Sequence, residues 1–367
     1  MERTGGGVVV RVGHLIASSD VDGGVRTVVD ALCALDPGAQ VLFHAIAEGH
    51  GGSHLRRSWP FPLPGLDAPL LRAVRAVDVL VVHGVFNPAC TRVARQAVRL
   101  VGGPAVVAFP HDPYDDGLLS TKPFAKRTYL RLAERPWMAR CEGVLVTAPS
   151  HEALLRQRAI SVPVCVRPLG LMALEHRHAA AALVGRAERR AGRRLLFLGR
   201  WDVHEKGLDL LLAAVAHVAR SEPDLRLRLV GPPAGAEADL AARVAASGAP
   251  VDLVGFVDDV WEEVAAADLL VLPSRKEGFG LVGLQALAAG VPVLLSTASG
   301  LAELVGEQDG VLLVRPDEES VREGLAMALE ALGELTTQAR SFAHRRAPTL
   351  TYEPVLQGLV ELGTSAR

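Results

Sequence analysis

The stretch LLVLPSRKEGFGLVGLQALAAGVPVLL, residues 269–295, contains one complete unit of strand, loop, helix and strand. The apolar run at 269–272 predicts a buried strand, and a glycine-rich loop follows it. A helix is predicted at 281–289, with an apolar arc formed by Leu281, Leu284, Leu287 and Ala288. Because the runs at 269–272 and 291–295 are apolar throughout instead of alternating, both strands are expected in a parallel sheet covered by helices on both faces.

The same alternation of apolar strands and amphipathic helices extends in both directions along the chain. In the C-terminal half, strands are predicted at 195–198, 225–230 and 251–254, and helices at 208–220, 236–246 and 320–331. In the N-terminal half, strands are predicted at 8–12, 41–46, 79–82, 105–109 and 144–147, with a helix around 25–32. Two such sets predict an α/β fold of two doubly wound, Rossmann-like domains that face each other across a cleft.

Length and charge agree with this organisation. A chain of 367 residues fits two domains, since one core rarely supports more than about 250–300 residues. The apolar pattern fades in an Ala-rich and Arg-rich segment, so a linker is predicted at 173–194, between domains at 1–172 and 195–345. For a last helix within 346–367, packing back on the first domain is left open. The net charge of −2 lacks the basic field of a nucleic-acid-binding protein, so no nucleic-acid partner is expected.

The four cysteines, at positions 33, 90, 141 and 165, have no spacing typical of a zinc site, and we expect reduced core thiols. The first residues lack the features of a leader peptide, and no apolar run reaches about 18 residues. The protein is therefore expected in the cytoplasm, with a contact at the inner face of the membrane as an alternative. The Arg-rich segment 122–140 favours a solvated amphipathic helix over a membrane-binding one.

Two residues of the opening stretch are candidates for ligand binding. Glu277 lies in the glycine-rich loop, and Gln285 lies about two turns into the following helix, so both side chains are expected to point toward one cleft. A carboxylate accepts hydrogen bonds from sugar hydroxyls, whereas an amide both accepts and donates. The N–H groups at the start of this helix, from Leu281 onward, are suited to a phosphate. A purely structural loop is the alternative.

A second candidate is the segment FLGRWDVHEKGLD, residues 197–209, which ends a strand and enters a helix. It places Arg200 and Lys206 at the carboxyl edge of the sheet, where open α/β folds bind ligands. The two cations could share a diphosphate, Arg200 through its planar fork and Lys206 as a point charge. His204 and Glu205 between them are expected to be exposed loop residues.

The first domain offers weaker candidates. Gly23 and Gly24 follow the predicted first strand and open a helix, which suits either an anion near the backbone or an ordinary tight turn. His111 follows the strand at 105–109, so it is expected at the carboxyl edge, as a functional group or as a core or capping residue. Asp115 and Asp116 favour a solvated turn over a metal site, because a third oxygen ligand is missing.

Together these stretches resemble the retaining glycosyltransferases of the GT-B fold, known as glycosyl transferases group 1 or family four. In that family an Arg and a Lys, here Arg200 and Lys206, meet the donor diphosphate. Its Glu-x7-Glu element aligns with Glu277, which contacts the sugar, and with Gln285 in place of a Glu that binds ribose. The remaining matches are the backbone of Gly278, Phe279 and Gly280, the pair Gly23 and Gly24, and His111. Departures from the pattern are Gln285, Asp112 and Leu169.

The resemblance implies transfer of a sugar with retention, from a nucleotide-sugar to a hydroxyl group of a glycan, a lipid-linked molecule or a small molecule. It implies no obligatory metal and no cofactor, and it assigns the catalytic roles to His111, Glu277, Arg200 and Lys206. Acceptor contacts are expected from the loop at 48–66. A non-catalytic nucleotide-sugar-binding or scaffolding protein is the alternative, and an isomerase or phosphorylase is a third hypothesis.

Overall fold

The computed structural model describes residues 9–17, 24–45, 68–112, 114, 119, 122–187, 193–233, 235 and 237–365. The chain divides into two compact units. The first unit comprises residues 1–167 and 352–367, and the second unit comprises residues 168–351.

The first unit contains a sheet of six parallel strands in the order β2-β1-β3-β4-β5-β6. The strands are β1 Val12–Ile16, β2 Gln40–His44, β3 Val79–His83, β4 Ala105–Phe109, β5 Gly143–Val146 and β6 Val164–Val166. The helices are α1 Gly24–Leu35, α2 Ala68–Arg75, α3 Pro88–Ala97, α4 Pro123–Tyr129, α5 Arg135–Met138 and α6 Pro149–Gln157. Strands β1, β3, β4 and β5 are buried along their whole length, which explains their continuous apolar runs.

The second unit contains a further sheet of six parallel strands in the order β12-β11-β10-β7-β8-β9. Its strands are β7 Arg194–Leu198, β8 Arg226–Val230, β9 Val251–Gly255, β10 Leu269–Leu272, β11 Val293–Ser296 and β12 Val311–Val314. Its helices are α7 Ala173–Ala187, α8 Leu208–Val218, α9 Glu237–Ser247, α10 Val260–Ala266, α11 Leu281–Ala288, α12 Glu318–Glu330 and α13 Leu332–Arg345. The predicted class, two doubly wound α/β domains, is confirmed.

The first strand lies four residues later than predicted, at Val12–Ile16 instead of 8–12. The apolar pattern stops at Val12 because the next two residues are Gly13 and His14. In the structure His14 is fully buried inside the strand, where hydrogen bonds to other side chains satisfy its ring. A polar residue thus occupies a position that periodicity reserves for an apolar one.

The segment predicted as a linker at 173–194 begins with a helix, α7, and the division between the units lies earlier, between Arg167 and Pro168. Helix α7 packs on α10 and α11 within the second unit. Its buried residues include Ala179 and Ala182, whose small side chains allow close packing but contribute little to an apolar pattern. An Ala-rich helix is therefore easily mistaken for a linker.

The last helix, α14 Glu353–Thr364, belongs to the first unit and lies against β3, β4 and β5. Val355 and Leu359 are fully buried there. Gly363 allows the close approach, because a Cβ at this position would lie 2.5 Å from a methyl carbon of Val79. The end of the chain therefore completes the core of the first unit.

The Arg-rich segment predicted at 122–140 is helical, with a five-residue π-helical stretch, Leu130–Glu134, between α4 and α5. Phe124 and Leu132 are mostly exposed on it. Contact of this segment with a membrane surface remains a prediction. None of the helices within the described ranges is both long and apolar enough to span a bilayer.

Replacing Leu359 by Ala is expected to lower the free energy of unfolding by about 2–5 kcal/mol, because it empties a buried site under the sheet. Gln357 on the same helix is exposed, so Gln357→Ala should cost only a few tenths of a kcal/mol. Urea denaturation of both variants measures the difference. Equal losses for the two variants would contradict the placement of α14.

Candidate functional site

The order of strands in each sheet reverses at one point. In the second unit, β7 has β8 on one side and β10 on the other, so consecutive connections run outward in opposite directions from the β7/β10 pair. The loops that follow these two strands therefore leave the same part of the carboxyl edge. In open α/β sheets this topological switch point is where ligands bind.

The loop after β7, residues 199–207, and the loop after β10, residues 273–280, are joined by hydrogen bonds. The backbone N–H groups of Arg275 and Lys276 both donate to the carbonyl of Glu205, at 2.9 and 3.2 Å. Lys206 Nζ lies 2.8 Å from Glu277 Oε2, and each of these side chains is 20% exposed. The structure thus brings together two residues separated by 71 positions in the sequence.

A bidentate ion pair reinforces the contact between the two loops. The Arg275 guanidinium donates to both carboxylate oxygens of Asp209 at 2.7 and 2.8 Å, and to the carbonyl of His204 at 3.0 Å. Burial acts to raise the pKa of Asp209. The hydrogen bonds and the charge of Arg275 act to lower it, as do hydrogen bonds from two backbone N–H groups, and the net result is a lowered pKa. The sequence analysis missed this pair, because only the adjacency of β7 and β10 brings the residues together.

Two glycines shape the loops. Gly207 has a φ of +66°, and a Cβ there would lie 2.3 Å from the carbonyl oxygen of Pro273. Gly280 has a φ of +91° and caps α11, and a Cβ there would lie 2.6 Å from Ser299 Oγ. Both positions require glycine for conformation and for space.

Hydrogen bonds to the carbonyl of Phe279 hold the backbone of the segment from Gly278 to Gly280, which the sequence analysis predicted as part of the site. The carbonyl of Phe279 accepts hydrogen bonds from Ser299 Oγ and from the N–H of Leu301, both at 2.7 Å. The side chain of Phe279 is buried, with 5% exposure. This segment therefore holds a set shape at the start of α11, whose first residue is Leu281.

Arg200 lies at the same edge, two residues after the end of β7. Its guanidinium lies 3.1 Å from Glu205 Oε2, and its side chain is 52% exposed. His204 is exposed, as predicted, and Glu205 is partly buried. Arg200, Lys206 and Glu277 thus surround one part of the carboxyl edge, next to the N-terminus of α11.

Gln285 does not project alone from α11. Its Nε2 donates to Glu175 Oε1 at 2.6 Å, and the other oxygen of Glu175 accepts from the N–H of Met172 at 2.8 Å. Glu175 belongs to α7, the helix that the sequence analysis took for a linker. The amide and the carboxylate therefore form one polar group within the second unit.

The arrangement in the second unit suits an anion that carries sugar-like hydroxyls. Two cations and the N–H groups at the start of α11 favour negative charge, while Glu277 can accept hydrogen bonds from hydroxyls. Among the residues that the structure describes, no group of three or more His, Cys, Asp or Glu side chains could hold a metal ion.

In the first unit, Gly24 is the first residue of α1, and no atom of the described residues lies within 4 Å of a Cβ built there. Gly23, Asp115, Asp116 and the whole predicted loop at 48–66 lie outside the described residues. All four cysteines are free; Cys90 and Cys141 are buried, and burial raises the pKa of each thiol to about 12.

His111 lies just beyond the carboxyl end of β4, as predicted, with a left-handed φ of +61°. Its ring stacks on that of Phe109, with centroids 4.0 Å apart. Its Nε2 lies 2.8 Å from Nδ1 of His83. His83 Nε2 in turn lies 3.0 Å from His14 Nδ1, and His14 Nε2 lies 2.9 Å from Gln40 Oε1. The sequence analysis found His111 and missed the other three.

Burial makes all three histidines poor bases. It lowers the pKa of His14 and of His111 to about 4, although Gln40 and Asp112 respectively act in the opposite direction. Burial also lowers the pKa of His83 well below its usual value, and the charges of the other two rings add to the effect. At neutral pH the three rings are therefore uncharged.

Glu134 is a buried acid in the same unit. Its carboxylate accepts hydrogen bonds from the Tyr114 hydroxyl and from the N–H of Phe86. Burial raises its pKa to about 7, and these two hydrogen bonds only partly offset the shift. The first unit thus contains buried acids and bases with opposite responses to pH.

Comparison with known proteins finds similarity to glycosyltransferases, which in the family model is confined to the second unit. Residues 192–332 match the family model described as glycosyl transferases group 1. A D-inositol 3-phosphate glycosyltransferase of Geodermatophilus obscurus is 35% identical over 184 residues, which cover 47% of this chain and 40% of the relative. The chain spans at most half the length of the first four curated relatives it matches.

One relative matches along most of its length. A GDP-mannose:cellobiosyl-diphosphopolyprenol alpha-mannosyltransferase of Xanthomonas campestris is 26% identical over 331 residues, 86% of this chain and 80% of the relative. Among solved structures, the sucrose-phosphate synthase of Thermosynechococcus elongatus has a TM-score of 0.73 at 22% identity, covering 97% of this chain and 99% of that one. The Anabaena protein HepE in complex with UDP-glucose also has a TM-score of 0.73, at 19% identity and with the same coverage. These structures show that the fold is GT-B.

The buried histidines predict a loss of stability in acid. The free energy of unfolding should fall as the pH drops from about 6.5 toward 4, because unfolded histidines bind protons that native His14, His83 and His111 do not bind. Each proton contributes about 1.4 kcal/mol per pH unit. Glu134 opposes the fall, since its native pKa is about 7 and its reference value is 4.5.

Urea denaturation between pH 7.5 and 4.5 measures this slope. Glu134→Gln keeps the size of the side chain and an acceptor oxygen, and it should steepen the fall by up to one proton, about 1.4 kcal/mol per pH unit. A profile that is flat in the wild type, or unchanged in the variant, would contradict the burial of these groups.

Proposed function

We propose that this chain transfers a sugar from a nucleotide-sugar to a hydroxyl group of an acceptor, on the premise that residues 192–332 match the family model described as glycosyl transferases group 1. The observation that carries the proposal is the Lys206–Glu277 pair at the switch point of the second sheet. It places a cation for a phosphate beside a carboxylate for a sugar. The reaction proceeds with retention, as the family resemblance implies.

The proposed donor site holds the diphosphate between Arg200, Lys206 and the start of α11. The leaving diphosphate gains negative charge as the bond to the sugar breaks, so fixed cations and N–H donors stabilise the transition state more than the ground state. Before the donor binds, Glu205 and Glu277 hold the two cations by ion pairs. The phosphates replace these partners, and the transfer requires neither a metal nor a cofactor.

Glu277 and the backbone from Gly278 to Gly280 bind the transferred sugar in this proposal. Once Lys206 turns to phosphate, the Glu277 carboxylate is released to accept from sugar hydroxyls. Ser274 Oγ, 3.4 Å from the same oxygen, keeps the carboxylate in place. The anchored carbonyl of Phe279 fixes the N–H groups that follow it.

Glu175 supplies the carboxylate that Gln285 lacks. In the family that this sequence resembles, a second Glu binds the nucleotide ribose, and this chain has Gln285 at that position. The 2.6 Å hydrogen bond from Gln285 presents the Glu175 carboxylate beside it. We assign ribose binding to this pair, with Glu175 as the acceptor for the ribose hydroxyls.

The nature of the acceptor is proposed from the relatives. Those named above act on D-inositol 3-phosphate and on a polyprenol-linked diphosphate sugar, and another is named a phosphatidyl-myo-inositol mannosyltransferase. A hydroxyl of a polyol, glycan or lipid-linked glycan is therefore the proposed acceptor. For His111 in the first unit, the family resemblance supports a contact with a substrate hydroxyl.

Loss of either cation should lower the rate strongly. Arg200→Ala and Lys206→Ala are each expected to reduce kcat by about 10²–10³-fold, the usual effect of removing one donor that stabilises developing negative charge. The assay measures release of nucleoside diphosphate from a panel of nucleotide-sugars, with and without EDTA. EDTA should have no effect on the rate.

Arg243 provides the matched control. It is an exposed arginine on α9 that pairs with Asp239, so Arg243→Ala removes the same charge from outside the two site loops and should leave the rate within about twofold. Equal rates in all variants would overturn the phosphate assignment. Binding of nucleotide-sugars with no turnover across many acceptors would favour a binding protein instead.

The ribose assignment predicts a selective change in nucleotide affinity. Glu175→Gln should weaken binding of UDP or GDP by about 10-fold or more, because a hydrogen bond to a charged group is worth about 1.5–3 kcal/mol. The same substitution should not affect the corresponding 2′,3′-dideoxynucleotide. Isothermal titration calorimetry measures both affinities.

The exchanged double variant, Glu175→Gln with Gln285→Glu, restores one amide and one carboxylate and should recover most of the affinity. Gln285→Glu alone sets two carboxylates against each other and should bind more weakly than the double variant. An equal loss for nucleotide and dideoxynucleotide would assign Glu175 a purely structural role.

A further inference from the structure

Four polar side chains form a continuous hydrogen-bonded chain through the first sheet. Gln40 lies in β2, His14 in β1, His83 in β3, and His111 follows β4. The row of hydrogen-bonded side chains therefore extends over four neighbouring strands. Its three links measure 2.9 Å from Gln40 to His14, 3.0 Å from His14 to His83 and 2.8 Å from His83 to His111. We call these residues the histidine chain.

The strand register shows that the histidine chain is a diagonal. Gln40 lies opposite Val12, and His14 is two residues further along β1. His14 lies opposite Val81, two residues before His83, and His83 lies opposite Phe109, two residues before His111. Because residues two apart in a strand share a face of the sheet, Gln40, His14 and His83 lie on one face, and His111, just beyond β4, is joined to them through its hydrogen bond with His83. They run from the first residue of β2 to the carboxyl edge.

Each ring in the histidine chain is neutral and therefore has one N–H donor and one bare nitrogen acceptor. Burial keeps the rings neutral, since the pKa of His14 and of His111 is about 4 and that of His83 is also lowered. A neutral ring between two others donates one hydrogen bond and accepts one. All the hydrogen bonds along the row must therefore run in the same direction. The group at one end therefore decides which nitrogen carries the proton in every ring.

Gln40 sets the direction. In the structure its amide turns Oε1 toward His14, and in this orientation Gln40 accepts, so His14 donates from Nε2 and leaves Nδ1 bare. His83 then donates from Nε2 to His14 Nδ1. His111 likewise donates from Nε2 to His83 Nδ1. The result is that His111 carries its proton on Nε2, and its Nδ1 is a bare acceptor at the carboxyl edge.

We propose that Gln40, His14 and His83 are positioning residues that hold His111 in the tautomer with a bare Nδ1, ready to accept a hydrogen bond from a substrate hydroxyl. The inference rests on the proposed function for the identity of that hydroxyl, but the tautomer itself does not depend on activity. A donor sugar or acceptor hydroxyl fits this nitrogen, whereas a carbonyl or phosphate oxygen does not.

The experiment reverses the end group. Gln40→Lys replaces the acceptor by an obligate donor of similar length, so every link must turn and His111 must carry its proton on Nδ1. Gln40→Met removes the amide at nearly constant size and leaves the direction unset. The full chain labelled with ring-¹⁵N histidine is examined by long-range ¹H–¹⁵N correlation at pH 7, with the His111 signals assigned through His111→Gln.

Wild type should show a bare Nδ1 and a protonated Nε2 on His111. Gln40→Lys should show a protonated Nδ1 and a bare Nε2, and Gln40→Met should show an average of the two tautomers. The control for added charge is Gln357→Lys. Gln357 is exposed on α14 and donates a hydrogen bond to Glu361, so this variant should give the same spectra as wild type. A protonated Nδ1 in wild type, or the same tautomer in wild type and Gln40→Lys, overturns the proposal. If Gln40→Lys does not fold, a wild-type tautomer that persists in Gln40→Met also overturns it.

The activity assay adds a second readout. Gln40→Lys should lower kcat/KM by about 10-fold or more, because a protonated Nδ1 can no longer accept a hydrogen bond from the substrate hydroxyl, while UDP or GDP affinity in the second unit stays within about twofold. A reversed tautomer with unchanged kcat/KM would place His111 outside the reaction without affecting the tautomer result. An inactive wild type with the expected spectra would overturn the proposed function and leave the positioning role in place.

Discussion

The parallel pairing of β10 with β7 is the constraint on which the candidate site depends. Leu269 and Leu270 lie opposite Leu195 and Leu196, although the residues of each pair are 74 positions apart in the sequence. This pairing makes β7 and β10 the point from which the connections run outward in opposite directions. Two loops that are distant in sequence then leave the sheet side by side, and the Lys206–Glu277 and Arg275–Asp209 pairs follow from that placement.

The site is organised before a ligand arrives. Ion pairs hold Arg200 and Lys206 against carboxylates of the same loops, so little side-chain entropy would remain to be lost on binding of the proposed diphosphate. Gly207 and Gly280 permit the backbones to approach more closely than any other residue would allow. Rigid loops with partly exposed cations suit a reaction whose main requirement is stabilisation of charge on a leaving group.

In the first unit, the main constraint is that polar imidazole rings lie within an apolar sheet and need hydrogen-bond partners there. A buried imidazole without partners would cost several kcal/mol. Each ring of the histidine chain instead satisfies the next, and neutrality follows from burial. The same links give the proposed positioning role, because a chain of neutral rings transmits the orientation of Gln40 to His111 without any charge moving.

The sequence alone predicted the α/β class, the positions of most strands and helices, and the residues Arg200, Lys206, Glu277 and His111 at carboxyl edges. These features depend on local patterns: continuous apolar runs, glycine-rich turns and charged residues directly after a strand. The same reasoning failed at the first strand, where His14 interrupts the apolar run, and at α7, where alanines hide a packed helix.

Only the tertiary structure decided which distant residues meet. The Glu175–Gln285 pair requires α7 to pack on α11, and the histidine chain requires the strand order β2-β1-β3-β4 with a shift of two residues at each step. Neither follows from local propensity, because strand order and register are set by packing of the whole sheet. Residue types therefore determined which chemistry was available, and the pairing of strands decided which groups act together.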